Sequence, residues 1–141
     1  MPDLVRQTDG PAQTEALAAE LADRLRPGDV VLLFGEVGSG KTTFVRGACR
    51  ALGIAGPVTS PTFTIGQRYD DASVSVSHLD LYRLGAGGEE DPSLLADYLT
   101  SDAIAFVEWP TAVGSQMELE NVVMRLEFEH LGGDRRRITV L

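Results

Sequence analysis

The chain has 141 residues, 43% of them hydrophobic, and 21 acids against 12 basic side chains give a formal net charge of -9. That length suffices for a single domain, residues 1–141, with a core that needs no disulfide or structural metal, and so acidic a surface repels phosphate backbones, which argues against independent nucleic-acid binding. The single cysteine, Cys49, excludes an internal disulfide, no Cys/His spacing suits zinc, and the longest strongly apolar run, Val30–Phe34, is far too short to cross a bilayer, so a cytoplasmic protein is expected.

In chain order, Leu4–Gln7 reads as a short first strand. Thr14 stands where a helix N-cap would, before Leu17, Leu21 and Leu25 at four-residue spacing, with Pro27-Gly28 closing the segment. The continuous apolar run Val30–Phe34 predicts a strand buried on both faces, as parallel strands covered by helices are. Phe44, Ala48 and Leu52 then line one face of a second helix that Gly53 stops. Thr62–Tyr69 and Val74–Asp80 around the polar turn Asp70-Asp71-Ala72 predict an antiparallel hairpin. A short helix over Pro92–Leu99, a buried strand over Ala103–Val107 and two strands over Val122–Phe128 and Arg136–Leu141 complete an α/β reading, a mixed parallel and antiparallel sheet flanked by a few helices.

Between the buried strand and the second helix lies Gly35-Glu36-Val37-Gly38-Ser39-Gly40-Lys41-Thr42, which fits G-x-x-x-x-G-K-[ST] at every fixed position. Glycines let successive backbone N–H groups turn inward on phosphate oxygens, and the helix presents its positive end to the same anion. Lys41 supplies a mobile ammonium to the outer phosphates, and Thr42 a hydroxyl to Mg²⁺. Lys41 is the sole lysine of the chain, so a compact point charge stands here where every other basic position is arginine. The motif predicts a P-loop NTPase fold holding a nucleoside triphosphate and Mg²⁺.

Such a site needs acids for the metal and for the attacking water. Glu108 closes the apolar run Ala103–Val107 at the strand end where α/β proteins bind ligands, and Asp80 closes Val74–Leu79. On pattern Glu108 is the better choice, and a water-facing acid is the alternative for either. His78 receives no role on this reading, as a packed or surface residue.

The motif with Thr43 and Phe44 behind it, Ser60-Pro61-Thr62-Phe63-Thr64, His78-Leu79-Asp80-Leu81-Tyr82-Arg83-Leu84 and Val107-Glu108-Trp109-Pro110, four blocks in that order, together resemble the TsaE (YjeE) family. Its members are bacterial P-loop ATPases required for the threonylcarbamoyladenosine modification of tRNA, and the resemblance runs from about Thr14 to Pro110. Gly85–Pro92, rich in glycine and acid, departs from the family pattern. The resemblance implies Asp80 as a Walker-B-like acid, Glu108 as a second acid near Mg²⁺, and catalytic roles for both with Lys41. The nucleotide would then be held by Gly35, Glu36, Val37, Gly38, Ser39, Gly40, Lys41, Thr42 and Thr43. Thr62 belongs either to a switch-like loop or simply to the start of a strand, and Trp109 is either a contact platform or core. Pro11–Thr14 would pack on the adenine. Arg83 and Arg135-Arg136-Arg137 are candidates for neutralising phosphate charge, with a solvated strand end the favoured alternative for the tail run and Arg135 first within it.

The resemblance further implies ATP hydrolysis in support of partners like TsaB and TsaD. Slow turnover in the isolated chain is expected because no guanidinium is positioned by motif and no segment is long enough to form a closing lid, while the acidic balance argues against direct tRNA binding and no membrane association is expected. A small-molecule or nucleoside kinase shares the loop but needs an acceptor pocket and lid for which little sequence remains. A GTPase needs an Asn/Thr-Lys-x-Asp element, and the one lysine is already committed. A nucleotide-binding structural subunit is a further alternative.

Overall fold

The structure is a computed structural model and describes residues 4–36, 38–58, 66–70, 73–80, 97–109 and 121–141. Among the described residues seven strands and two helices follow one another as β1 (Leu4–Thr8), α1 (Pro11–Ala22), β2 (Val30–Phe34), α2 (Lys41–Ala51), β3 (Gly66–Tyr69), β4 (Ser75–Asp80), β5 (Ala103–Trp109), β6 (Val122–Gly132) and β7 (Arg135–Val140). The strands form one sheet in the order β1-β7-β6-β2-β5-β4-β3. Its centre is parallel, β6-β2-β5-β4, and its margins are antiparallel, with β7 on β6, β1 on β7, and β3 on β4. The mixed sheet and the β3–β4 pairing are those expected from sequence.

All five residues of β2 are buried, and the strand alternation divides them between two layers. Val31 and Leu33 join the core beneath both helices, with Leu17, Leu21, Phe44, Val45, Ile104, Phe106 and Leu126. Val30, Leu32 and Phe34 pack on the other face with Leu79, Ala105 and Val107. A strand apolar at every position is what such double coverage requires.

The start of α1 differs from the sequence expectation. Gly10, extended, is the N-cap and Pro11 opens the helix, where its fixed φ suits the first turn and its missing N–H costs nothing. Gln13 reaches back to accept from the Asp9 backbone N–H at 2.9 Å, in the manner of a capping box. Thr14 is therefore not a cap. It lies inside the helix, buried, with its hydroxyl 2.8 Å from that of Thr8 on β1. The helix ends at Ala22, so Leu25 reaches the core from beyond it.

The two helices lie against one another on the same side of the sheet, and Gly47 sets their distance. A Cβ at Gly47 would stand 2.5 Å from Glu15 Cα and 2.6 Å from its carbonyl oxygen. The Phe44 ring meets Phe128 of β6 edge to face, centroids 5.7 Å apart, which ties α2 to the sheet just behind the glycine-rich loop. Among the described residues no helix is long and apolar enough to cross a membrane.

Candidate active site

The parallel register determines which side chains meet at the carboxyl ends of the central strands. Leu33 of β2 stands opposite Glu108 and Phe34 opposite Trp109 on β5, while Asp80 of β4 also stands opposite Glu108. Three strands thus end at one level, and the loop from Gly35 to Gly40 leaves β2 there and delivers α2 back over them. β5 continues past Val107 through Glu108 to Trp109, so Glu108 belongs to the strand and is not a water-facing acid after it. Only 4% of Glu108 is exposed.

Tight packing explains the glycine that opens the loop. Gly35 has φ +154, and a Cβ there would meet Ser39 Oγ at 2.7 Å and the Phe128 carbonyl oxygen at 2.9 Å, so any side chain would push the loop off β6. The Ser39 backbone N–H donates to the Glu36 carbonyl at 3.0 Å. Ser39 Oγ is buried and has no partner among the described residues, a hydroxyl able to donate to an oxygen of a ligand.

Lys41, the first residue of α2, is 7% exposed, and its Nζ donates to the Gly35 carbonyl, across the mouth of the loop. Burial lowers its pKa below the ordinary 10.5, opposed by the attraction of Glu108 and then Asp80. Thr42 Oγ1 donates to Glu108 at 3.2 and 3.3 Å. Lysine, threonine and two acids from α2, β4 and β5 therefore share one small volume. Two carboxylates and a hydroxyl are hard oxygen donors of the kind Mg²⁺ takes. Among the described residues no three His, Cys, Asp or Glu side chains gather into a metal cluster.

One residue given no role by the sequence stands at the centre of the site. His78 is wholly buried, and its Nε2 meets Glu108 Oε2. Its two-residue spacing from Asp80 puts both on one face of β4, and that spacing was the available signal. The arginines also sort themselves. Among the described residues Arg135, first in the tail on sequence, reaches only the Leu131 carbonyl of its own hairpin at 3.4 Å, whereas Arg136 donates to the Gly38 carbonyl of the loop at 3.0 Å and lays its stem about 3.8 Å from where a Gly40 Cβ would stand. A small groove beside the loop is lined by Gly10, Pro11, Thr14, Gly40, Thr43, Asp134 and Arg136, which places the expected Pro11–Thr14 segment next to Thr43. A larger cavity lies at the opposite end of the parallel strands, around Pro27–Val30 and Leu99–Ala103, away from this chemistry. Val37, Ser60-Pro61-Thr62, Arg83, Gly85–Pro92 and the side chain of Trp109 lie outside the described residues, as does most of the helix expected over Pro92–Leu99.

Comparison with known proteins adds an independent finding. The family described as threonylcarbamoyl adenosine biosynthesis protein TsaE matches residues 8–138. A protein of Bacillus subtilis named tRNA threonylcarbamoyladenosine biosynthesis protein TsaE is 36% identical over 139 residues, 99% of this chain and 85% of its own length. A protein of the same name from Streptomyces coelicolor is 40% identical over 130 residues, 88% of this chain and 86% of its own length. The crystal structure of Bacillus subtilis YdiB superposes with a TM-score of 0.76 at 32% identity, covering 99% of this chain and 84% of that one.

Proposed function

Because the chain belongs to the TsaE family, we propose that it binds ATP with Mg²⁺ in the Gly35–Thr43 loop and hydrolyses it slowly, in support of tRNA threonylcarbamoyladenosine synthesis. The observation that carries this reading is the meeting of Lys41, Thr42, Asp80 and Glu108 at the ends of β2, β4 and β5.

The triphosphate would lie along the loop, with the Ser39 hydroxyl and the start of α2 turned to its oxygens. Lys41 Nζ would exchange the Gly35 carbonyl for the outer phosphates, where its charge opposes the negative charge that develops in the transition state. Thr42, Asp80 and Glu108 are the residues that would hold Mg²⁺, directly or through its waters; when bound, the ion neutralises the outer phosphates. Glu108, a carboxylate beside Thr42, or Asp80 next to it in register, orients the water that attacks the terminal phosphorus. The base would occupy the groove of Pro11, Thr14 and Thr43.

Among the described residues only Arg136 brings a guanidinium to the loop, and it is engaged with the Gly38 carbonyl. Among the described residues no arginine stands free over the phosphates, which accords with slow turnover by the chain alone, and proteins like TsaB and TsaD are the partners expected to accelerate it. The net charge of -9 favours docking on such a protein complex over bare tRNA in a cytoplasmic setting.

The test is ATP binding by calorimetry and phosphate release by the purified chain with Mg²⁺, with and without TsaB and TsaD, beside Glu108→Ala. Binding, slow release that rises with the partners, and loss of release in the variant are expected. A chain that binds no adenine nucleotide, or whose release ignores Glu108→Ala, contradicts the proposal.

A further inference from the structure

We propose that His78 is a positioning residue for hydrolysis, whose imidazole Nε2–H donates to Glu108 and holds that carboxylate turned toward Thr42. The proposal rests on the ATPase reading above and adds to it a residue that the loop motif does not contain.

The placement follows from the register of β4 and β5. His78 stands opposite Phe106 and Asp80 opposite Glu108, so His78 lies one step deeper on the face that carries Glu108. Around it are Val76 and Phe106 of the core beneath the helices, and His78 itself is 0% exposed. An imidazole in such surroundings is costly unless hydrogen-bonded. Among the described residues it has one partner, Glu108 Oε2 at Nε2, and none at Nδ1.

That asymmetry selects the tautomer. A proton on Nδ1 would be a buried donor with no acceptor, whereas a proton on Nε2 alone leaves only an unused lone pair at Nδ1. The ring is therefore a donor to the carboxylate. Glu108 then receives one bond from β4 below it and one from Thr42 of α2 above it. Two donors from separate elements restrict the torsions of a side chain that would otherwise keep considerable rotamer freedom. A carboxylate so held is oriented before the nucleotide arrives, the role that outer partners play for groups around a metal. Its one described bond is to Glu108 and none is to the loop that cradles the phosphates, so His78 is expected to bear more on turnover than on affinity.

The experiment uses the full chain with His78→Leu, His78→Gln, Glu108→Gln and the double variant His78→Leu/Glu108→Gln. His78→Leu is expected to bind ATP within about threefold of the parent and to lose about 10- to 100-fold in kcat, the usual cost of removing an outer partner. His78→Gln, whose side-chain amide can donate from the same place, is expected to recover most of that loss. The double variant should be no slower than Glu108→Gln alone, because the histidine acts through the glutamate. In the parent chain, nitrogen NMR should show the His78 proton on Nε2 and a bare Nδ1, an observation independent of turnover and of whether His78→Leu folds.

Equal losses in the Gln and Leu variants, a change in KM alone, a double variant slower than Glu108→Gln, or a proton on Nδ1 would each overturn the proposal. Lack of ATP binding by the parent instead overturns the ATPase reading, while the NMR measurement still decides whether His78 donates to Glu108.

Discussion

The hydroxyl of Thr42 donates to the carboxylate of Glu108 at 3.2 and 3.3 Å across 66 positions of chain, so the residue expected to meet Mg²⁺ and the acid expected to act beside it are already in contact. Replacing Glu108 by glutamine keeps the shape and an acceptor for Thr42 while removing the negative charge. ATP binding should stay within a few-fold of the parent. Phosphate release should fall on the order of a hundredfold, as for loss of a positioned acid or base. Parallel calorimetry and single-turnover phosphate release separate the two effects, and an unchanged release rate would remove Glu108 from the chemistry.

Much of this site was legible before the fold was known because its parts are local. The loop motif is contiguous, its strand is apolar at each of five positions, and its helix shows an apolar face, so Gly35–Thr42 could be placed without any tertiary contact. His78 was not legible for the opposite reason. Its partner is 30 residues away and the contact exists only through the parallel register of β4 and β5, which no single-strand pattern specifies. On sequence Arg135 stands first in the tail, yet it is Arg136 that the β6–β7 hairpin directs to the loop, a direction that only the strand pairing supplies. Thr14 illustrates a third case, where capping chemistry suggested a helix start and proline at the first helical position with glycine before it prevailed three residues earlier.

Burial of Lys41 leads to a dependence on pH whose direction can be worked out. Its pKa in the folded chain lies below the ordinary 10.5 because desolvation outweighs the attraction of Glu108 and Asp80. Between the folded value and 10.5 the unfolded chain binds more protons than the native one, so this group makes the protein more stable as pH rises through that window. Lys41→Met lacks the group altogether. Denaturant midpoints of the two proteins, compared from about pH 7 to about pH 10, should show the parent gaining on the variant as pH rises. A parent that loses ground over that range would mean that the acids outweigh burial.

The approach of α1 to α2 at Gly47 leaves no room for a methyl group, because the obstacles are the backbone atoms of Glu15 at 2.5 and 2.6 Å. Alanine is the better helix former by about 1 kcal/mol, yet here the helices must separate to admit it. Gly47→Ala should therefore destabilise the fold by about 1–3 kcal/mol, the usual range for overpacking. Urea unfolding measures it, and a gain in stability would show that the helix pair yields more easily than its contacts imply. Since α2 begins at Lys41, the same displacement should weaken ATP binding in the variant.

Arg136 and Arg135 are neighbours with opposite expectations. Arg136 spans from β7 to the Gly38 carbonyl, and its stem forms a wall of the groove beside Gly40 and Thr43. Truncation to alanine removes both a strut of the loop and a side of the groove. The freed Gly38 carbonyl can return to water because that residue is exposed, so stability should change little. A loss of about 1 kcal/mol in ATP binding, roughly fivefold in Kd, is the expected scale. Arg135→Ala gives up only a 3.4 Å contact with the Leu131 carbonyl in its own hairpin and should leave Kd within experimental scatter. Calorimetric titration of both variants with ATP makes the comparison, and equal effects at the two positions would mean that charge near the loop matters more than the contact with Gly38.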